Sequence, residues 1–198
     1  MHAAEQNRED VKAERDEWQT DQPNMKIDKL VFLDESGTNT GMTRLYGRGH
    51  SDERVVDYTP DVRFERTSIL SSVRMNGEIV PLVYDGALNG ELFKAYITQC
   101  LVPTLSKGDI VIMDNLTSHK VKGVVEPIVA VGAKVVYLPP YSPDFNPIEM
   151  MWSKIKAYLR KVKARTKESL ETAIAEALDC ITTSDILAWF TECGYGIQ

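Results

Sequence analysis

Three acids in this chain stand where a carboxylate can do chemistry. Asp34 follows the apolar run of KLVFLDES (29–36), Asp114 follows IVIM (110–113), and Glu149 lies in the first turn of a helix opened by Asn146-Pro147. Acids at strand ends and at the start of a neighbouring helix can converge on one spot. Three converging carboxylates with no histidine or thiol suit hard divalent cations, chiefly Mg²⁺ or Mn²⁺. Two such ions activate an attacking oxygen and stabilise a leaving one in phosphoryl transfer. The reaction class implied is attack of water or a 3′-hydroxyl on a phosphodiester. Each acid also has a plainer reading. Glu35, next to Asp34, is an alternative candidate, and Asp114-Asn115 reads as turn chemistry after a strand. Asn146-Pro147-Ile148-Glu149 has the N-x-x-E form of a capping box, which would occupy Glu149 with the helix start.

Composition narrows the chemistry further. The chain has 198 residues, room for one generous domain or one domain plus an arm. No run of eighteen apolar residues is present, so a transmembrane helix is not expected and no membrane partner is implied. The first residues, MHAAEQNREDVKAERDEWQ, are polar and acidic rather than basic and then apolar, which argues against export. Cys100, Cys180 and Cys193 have no metal-ligand spacing, and an odd count fits a reducing cytoplasm. With only three histidines beside them, a structural zinc site is not expected, so any metal is held by carboxylates.

The net charge of −6 argues against a nucleic-acid partner until its distribution is read. Residues 154–167, KIKAYLRKVKARTK, carry seven basic residues and no acid, while the flanking segments are acidic. Such a segment marks a phosphate contact or, more plainly, a solvated helix face.

The elements that must position the three acids follow from periodicity. Residues 5–19 are helical by composition but too polar to make a core, and Pro23-Asn24 break them, which predicts a helical arm or linker over 1–25 and a single domain over 26–198. Strands are predicted near 30–35, 66–75 and 78–84, the last two joined by a two-residue hairpin turn at Asn76-Gly77, with a short strand possible at Thr43–Tyr46. Beyond Asn89-Gly90, apolar residues recur at helical spacing from Leu92 to Leu101. Strands at 109–115 and 133–140 flank a helix over 118–131. Further helices are predicted from Asn146 to about Val162, from a Thr166 cap, and near 185–193. This order predicts an α/β fold: a mixed five-stranded sheet flanked by helices.

The words around the acids are LDESG (33–37), MDNLTSHK (113–120) and LPPYSPDFNPIEMMWSKIK (138–156). They resemble the catalytic domain of bacterial insertion-sequence transposases in the mariner-like superfamily, the DDE superfamily endonucleases. Thirty-four residues separate Asp114 from Glu149, the spacing this group shows. MTRLYGRG (42–49) and YDGALNGELFKAY (84–96) are similar to that family's connecting segments, so the resemblance runs from about residue 5 to the C-terminus.

The resemblance implies a ribonuclease H-like fold in which Asp34, Asp114 and Glu149 hold two divalent ions. It implies cleavage of the ends of a mobile element and their transfer to a TA target by a homo-oligomer on DNA. Asn115, His119 and Lys120 match the family's DN-x(3)-HK word, implying support of the acids or contact with the DNA backbone. His119 reads equally as a plain helix N-terminal residue. Tyr141, Ser142 and Pro143 are expected to shape the loop that delivers Glu149, with Asn146 capping its helix and Trp152 packing in the core. Lys154, Lys156 and Arg160 follow Glu149 directly, where DNA phosphates would pass.

Complete members carry an N-terminal helix-turn-helix region, whereas this sequence offers a short acidic arm, so that domain is expected from another reading frame or chain. Two rival readings compete. One is a non-catalytic remnant that binds DNA or full-length copies. The other is a haloacid-dehalogenase-like phosphatase, because Asp34-Glu35-Ser36-Gly37-Thr38 resembles that superfamily's phosphorylated-aspartate loop and Asp109 with Asp114 its metal-binding acids. Ser36 stands where that superfamily has a second acid, and Glu149 would have no role.

Overall fold

The computed structural model describes residues 4–50, 52–58, 64–115 and 123–196. Five strands form one sheet: β1 (Leu30–Asn39), β2 (Arg66–Arg74), β3 (Ile79–Asp85), β4 (Ile110–Met113) and β5 (Lys134–Tyr137). Their order across the sheet is β3-β2-β1-β4-β5. The first three strands pair antiparallel, and β1, β4 and β5 run parallel. The predicted mixed five-stranded sheet is therefore the fold. The helices are α1 (Glu9–Asp21), α2 (Gly90–Tyr96), α3 (Val125–Ala130), α4 (Pro147–Val162), α5 (Lys167–Asp179) and α6 (Thr183–Glu192).

The alternation of side chains along a strand divides the core in two. Leu30, Phe32, Ile110 and Ile112 face Ile148, Met151, Trp152, Ile155 and Leu159 of α4, with α5 and α6 behind. Val31, Leu33, Val111 and Met113 face the opposite way, against Phe93, Tyr96, Leu101 and Ile128. Phe32 meets Phe190 and Tyr195 edge to face, closing the first layer under the C-terminal segment.

Several boundaries differ from the sequence reading. β1 continues to Asn39 because β2 keeps pairing with it as far as Arg66, well past the end of its pairing with β4. The Asn76-Gly77 hairpin closes with three residues: Arg74 N–H donates to the carbonyl of Glu78, and Gly77 takes the left-handed conformation at φ +94°. Thr43–Tyr46 forms no strand. The helix of α2 continues as a π turn over Ile97–Leu101 before Pro103. The predicted helix 118–131 is seen as Val125–Ala130, its first part lying outside the described residues. α5 and α6 each begin with a capping box, at Thr166–Ser169 and Thr182–Asp185.

The N-terminal helix is polar, as read, yet it contributes to the core. Val11 and Trp18 are buried, and the Trp18 indole donates to the Tyr195 hydroxyl at 3.1 Å. At the opposite end of β4 from Asp114, Asp109 is buried against Arg74, whose Nη2 donates to it at 2.8 Å. Ser106 N–H donates to the same carboxylate, and Lys29 Nζ lies 3.5 Å away. Among the described residues no helix is long and apolar enough to cross a membrane.

Candidate active site

The pairing of β1 with β4 ends at Leu33 opposite Met113. Asp34 is the next residue of β1, and Asp114 directly follows the last residue of β4. Both continue the side-chain alternation of Phe32 and Ile112, so both point to the face covered by α4. Glu149 enters from the first turn of α4, and the three acids line one cavity of about 510 Å³. Asn115 and the loop residues Pro140, Tyr141, Ser142 and Pro143 complete its wall.

The three carboxylates differ in setting. Asp34 is 8% exposed. Its Oδ1 accepts from Glu35 N–H at 2.8 Å and its Oδ2 from the Trp152 indole at 3.0 Å, which fixes the plane of the carboxylate. Burial pushes its carboxyl up to about 7, with the charge of Glu149 adding most of the rest and Asp114 a little, against those two donors. Glu149 stands at the accessible rim. Partial burial raises its carboxyl, Lys156 opposes that rise, and Asp114 reinforces it. Asp114 is half-buried at the end of β4. Among the described residues, no three or more Asp, Glu, His or Cys side chains are drawn together tightly enough to hold an ion as they stand. The donor set is all oxygen, and each acid lies in the field of another, which is the chemistry a hard divalent ion fits.

The capping-box reading of Glu149 fails. Asn146 occupies the N-cap position but makes no side-chain cap bond, and its Oδ1 is buried without a partner. Pro147 has no N–H that needs an acceptor, and Asn146 N–H already donates to the carbonyl of Pro143, so the carboxylate of Glu149 is left to the cavity. Glu35 alternates to the face of Val31 and Leu33, and its charge helps to raise the hydroxyl of Tyr84, after burial. It does not line the cavity. Trp152 packs in the core as expected, and its bond to Asp34 is a contact that sequence reasoning missed. The signal available was its place three residues after Glu149, on the same helix face. Asn115 lies exposed on the cavity wall. His119 and Lys120 lie outside the described residues.

The basic segment is largely committed within the fold. Lys154 pairs with Asp185 at 2.5 Å, Lys163 with Asp57 at 2.5 Å, and Lys167 with Asp85. Arg165 donates to the carbonyls of Thr40 and Met42. Lys156 and Arg160, one turn apart on α4, instead line a concavity of about 400 Å³ with Gly37, Asn39 and Phe64. The metal-binding role weighed for Asp109 does not hold, since its carboxylate is occupied by Arg74 at the far end of the strand.

This sheet order, with acids where the central strands β1 and β4 cease to pair and on the covering helix, defines a ribonuclease H-like fold. The family model of the DDE superfamily endonucleases matches residues 29–171, and the chain belongs to that family. The structure superposes on the Mos1 mariner transposase catalytic domain with a TM-score of 0.71 at 12% identity, over 98% of this chain and 91% of that one. It superposes on the Mos1 paired-end complex with the left transposon end with a TM-score of 0.78 at 13% identity, over 98% of this chain and 60% of that one. For the Mos1 paired-end complex with Mn the TM-score is 0.70 at 13% identity, over 98% of this chain and 61% of that one. The chain thus spans about 60% of the length of those transposases as they stand in their DNA complexes. No curated protein matches the sequence.

Proposed function

We propose that this chain is a transposase catalytic domain that cleaves DNA and transfers strands with divalent metal, using Asp34, Asp114 and Glu149. The observation that carries the reading is the convergence of these three acids on one cavity, two from where β1 and β4 cease to pair and one from a helix start. The three carboxylates would hold Mg²⁺ or Mn²⁺, two ions in the full site. Bound there, the metal supplies Lewis-acid activation of the attacking oxygen and neutralises charge on the leaving one. The chain's own part is positional. β1 and β4 fix Asp34 and Asp114 side by side, the Trp152 indole orients Asp34, and α4 presents Glu149 from the rim. Water or a 3′-hydroxyl attacks phosphorus, a new P–O bond forms, and the bridging P–O3′ bond breaks.

The likeness to transposase–DNA complexes supports DNA as substrate, and the insertion-sequence setting and TA target are part of the same proposal. Residues 26–198 are its catalytic unit and 1–25 its arm. End recognition is assigned to a helix-turn-helix domain, and the working form to a homo-oligomer on DNA. Asn115, His119 and Lys120 are proposed to support the acids or the DNA backbone. Lys156 and Arg160 are proposed as the phosphate contacts, with Lys154 tied to Asp185 in this form.

Mn²⁺ titration calorimetry on the wild type and on Asp34→Asn, Asp114→Asn and Glu149→Gln tests the assignment without knowledge of the DNA sequence. Affinity is expected to fall in all three. Loss with the two aspartate variants but not with Glu149→Gln would remove Glu149 from the site, and no binding by the wild type would favour a non-catalytic remnant.

The phosphate contacts have their own test. Reversing Lys156 and Arg160 to Glu should weaken DNA binding and flatten the salt slope by about one per lost phosphate contact. An unchanged slope would return both residues to a solvated face.

A further inference from the structure

Beyond the three acids, the wall of the cavity is held from outside the segment that matches the family. Residues 141–145 receive five tethers, four of them direct from the N-terminal segment and one from Tyr195 near the C-terminus. Gln6 Nε2 donates to the carbonyl of Tyr141 at 2.6 Å. The Arg15 guanidinium donates to Ser142 Oγ at 2.7 Å and grips Asp144 with both branches of its fork, at 3.0 and 2.7 Å. The same guanidinium lies 4.4 Å from the centroid of the Phe145 ring. The Tyr195 hydroxyl, itself accepting from Trp18, donates to the carbonyl of Phe145 at 2.9 Å.

This loop needs holding. Tyr141 sits at φ +55°, a left-handed conformation unfavourable for a residue with a side chain. Ser142 Oγ, held by Arg15, donates in turn to the carbonyl of Pro140 at 3.1 Å. Immediately after Phe145 the backbone turns into α4: Asn146 N–H donates to Pro143, and Glu149 N–H donates to Asn146. The Arg15 side chain is only 16% exposed, so its bidentate pair is more than a surface contact, and a rigid fork over an aromatic face is a geometry that lysine cannot reproduce.

We propose that Arg15 is a positioning residue for the reaction, acting through Ser142 and Asp144 to hold the loop that sets Glu149 against Asp34 and Asp114. The inference rests on the metal-dependent cleavage proposed above. Its expected size follows from geometry, since misplacing a reacting group by about 1 Å costs on the order of 100-fold in rate.

The test uses the full chain, supercoiled plasmid and Mn²⁺, at a temperature well below each variant's melting point. Wild type, Arg15→Met, Arg15→Lys, Asp144→Asn and Glu149→Gln are compared for kcat, KM for plasmid, and Mn²⁺ affinity. Arg15→Met is expected to lower kcat by about 10- to 100-fold with KM for DNA within about twofold. Arg15→Lys should recover only part of the loss. Asp144→Asn, at the more exposed end of the pair, should show the same split and serves if Arg15→Met fails to fold. Wild-type kcat in Arg15→Met or Asp144→Asn, alongside an inactive Glu149→Gln, would overturn the positioning role and leave the site assignment standing. A fully active Glu149→Gln, or a wild type that neither nicks nor binds Mn²⁺, would overturn the site assignment and the inference with it.

Discussion

Asp34→Asn is expected to lose metal-dependent nicking by a factor on the order of 10³ or more and, in the same protein, to melt higher than the wild type at pH 8 without metal. The two effects have one cause. Burial, then the charge of Glu149, pushes the Asp34 carboxyl up from the ordinary 3.8 to about 7. A carboxyl raised by folding stabilises the fold fully below its unfolded value near 4, and that contribution is lost as pH rises through about 7. At pH 8 the metal-free wild type therefore carries an unfavourable buried charge, worth at most about 4 kcal/mol at about 1.4 kcal/mol per tenfold change in proton affinity.

Asparagine removes the charge but can accept only one of the bonds from Glu35 N–H and Trp152, which costs about 1 kcal/mol or more. The net gain is about 2 kcal/mol, or roughly 4–8 °C in melting temperature for a chain of this size. At pH 4–5 the gain should vanish. Mn²⁺ should raise the melting point of the wild type and not of the variant. Melting scans at pH 5 and pH 8 in chelator decide it. A variant less stable than the wild type at pH 8 would show that Asp34 is not held as an unfavourable buried charge.

Asp109→Ala is expected to do the reverse: to cost about 3–5 kcal/mol of stability while leaving the nicking rate per folded molecule unchanged. Asp109 is 1% exposed and Arg74 is buried beside it. The Arg74 guanidinium reaches Asp109, the carbonyl of Thr104 and the carboxylate of Glu78. Without Asp109 that cation keeps the Thr104 carbonyl and the partly exposed carboxylate of Glu78. Burial alone would raise the Asp109 carboxyl, but Arg74, Ser106 N–H and Lys29 together hold it below its ordinary value. Its contribution is thus present at neutral pH and lost only as pH falls through that lowered value, the opposite sign to Asp34. Asp109 stands five residues from Asp114 along the strand direction, about 16 Å at strand rise, so chemistry should not feel the change. Urea unfolding together with nicking at 20 °C checks both halves. A drop in kcat with unchanged stability would sink the separation of roles.

The succession of strands along the chain and the positions of Asp34, Asp114 and Glu149 relative to them were legible because each depends on local pattern. LVFL and IVIM are short apolar runs that must be buried, and the acid directly after each stands where β1 and β4 cease to pair, although β1 itself runs on past Asp34. α4 was legible from Ile148, Met151, Trp152, Ile155 and Leu159 on one stripe. What escaped depends on partners distant in sequence. The extension of β1 to Asn39 is set by β2. The capping box suggested by Asn146 and Glu149 is locally plausible, yet the cavity side of the helix start overrides it. The basic run 154–167 gave no sign that Lys154, Lys163, Arg165 and Lys167 would be spent on acids and carbonyls elsewhere in the fold. Trp18 and Arg15 lay in a helix too polar to mark as a core element, and only the tertiary structure brings them to Tyr195 and Asp144.

The pairing of Leu33 with Met113 has a consequence for how the chain can change length. The two aspartates share a face only because each follows an apolar run in the same phase of the pleat. One residue inserted between Leu30 and Leu33, or between Ile110 and Met113, would exchange the faces of that strand and turn its acid away from α4. Two residues would restore the face but carry the acid about 7 Å along the strand, out of reach of its neighbour. The connection over 40–65 obeys no such parity, since β2 pairs with β1 whatever length of chain returns it. Insertions there should leave the acids in place, and this gene can lengthen at that connection while remaining intolerant of a single added codon a few positions upstream.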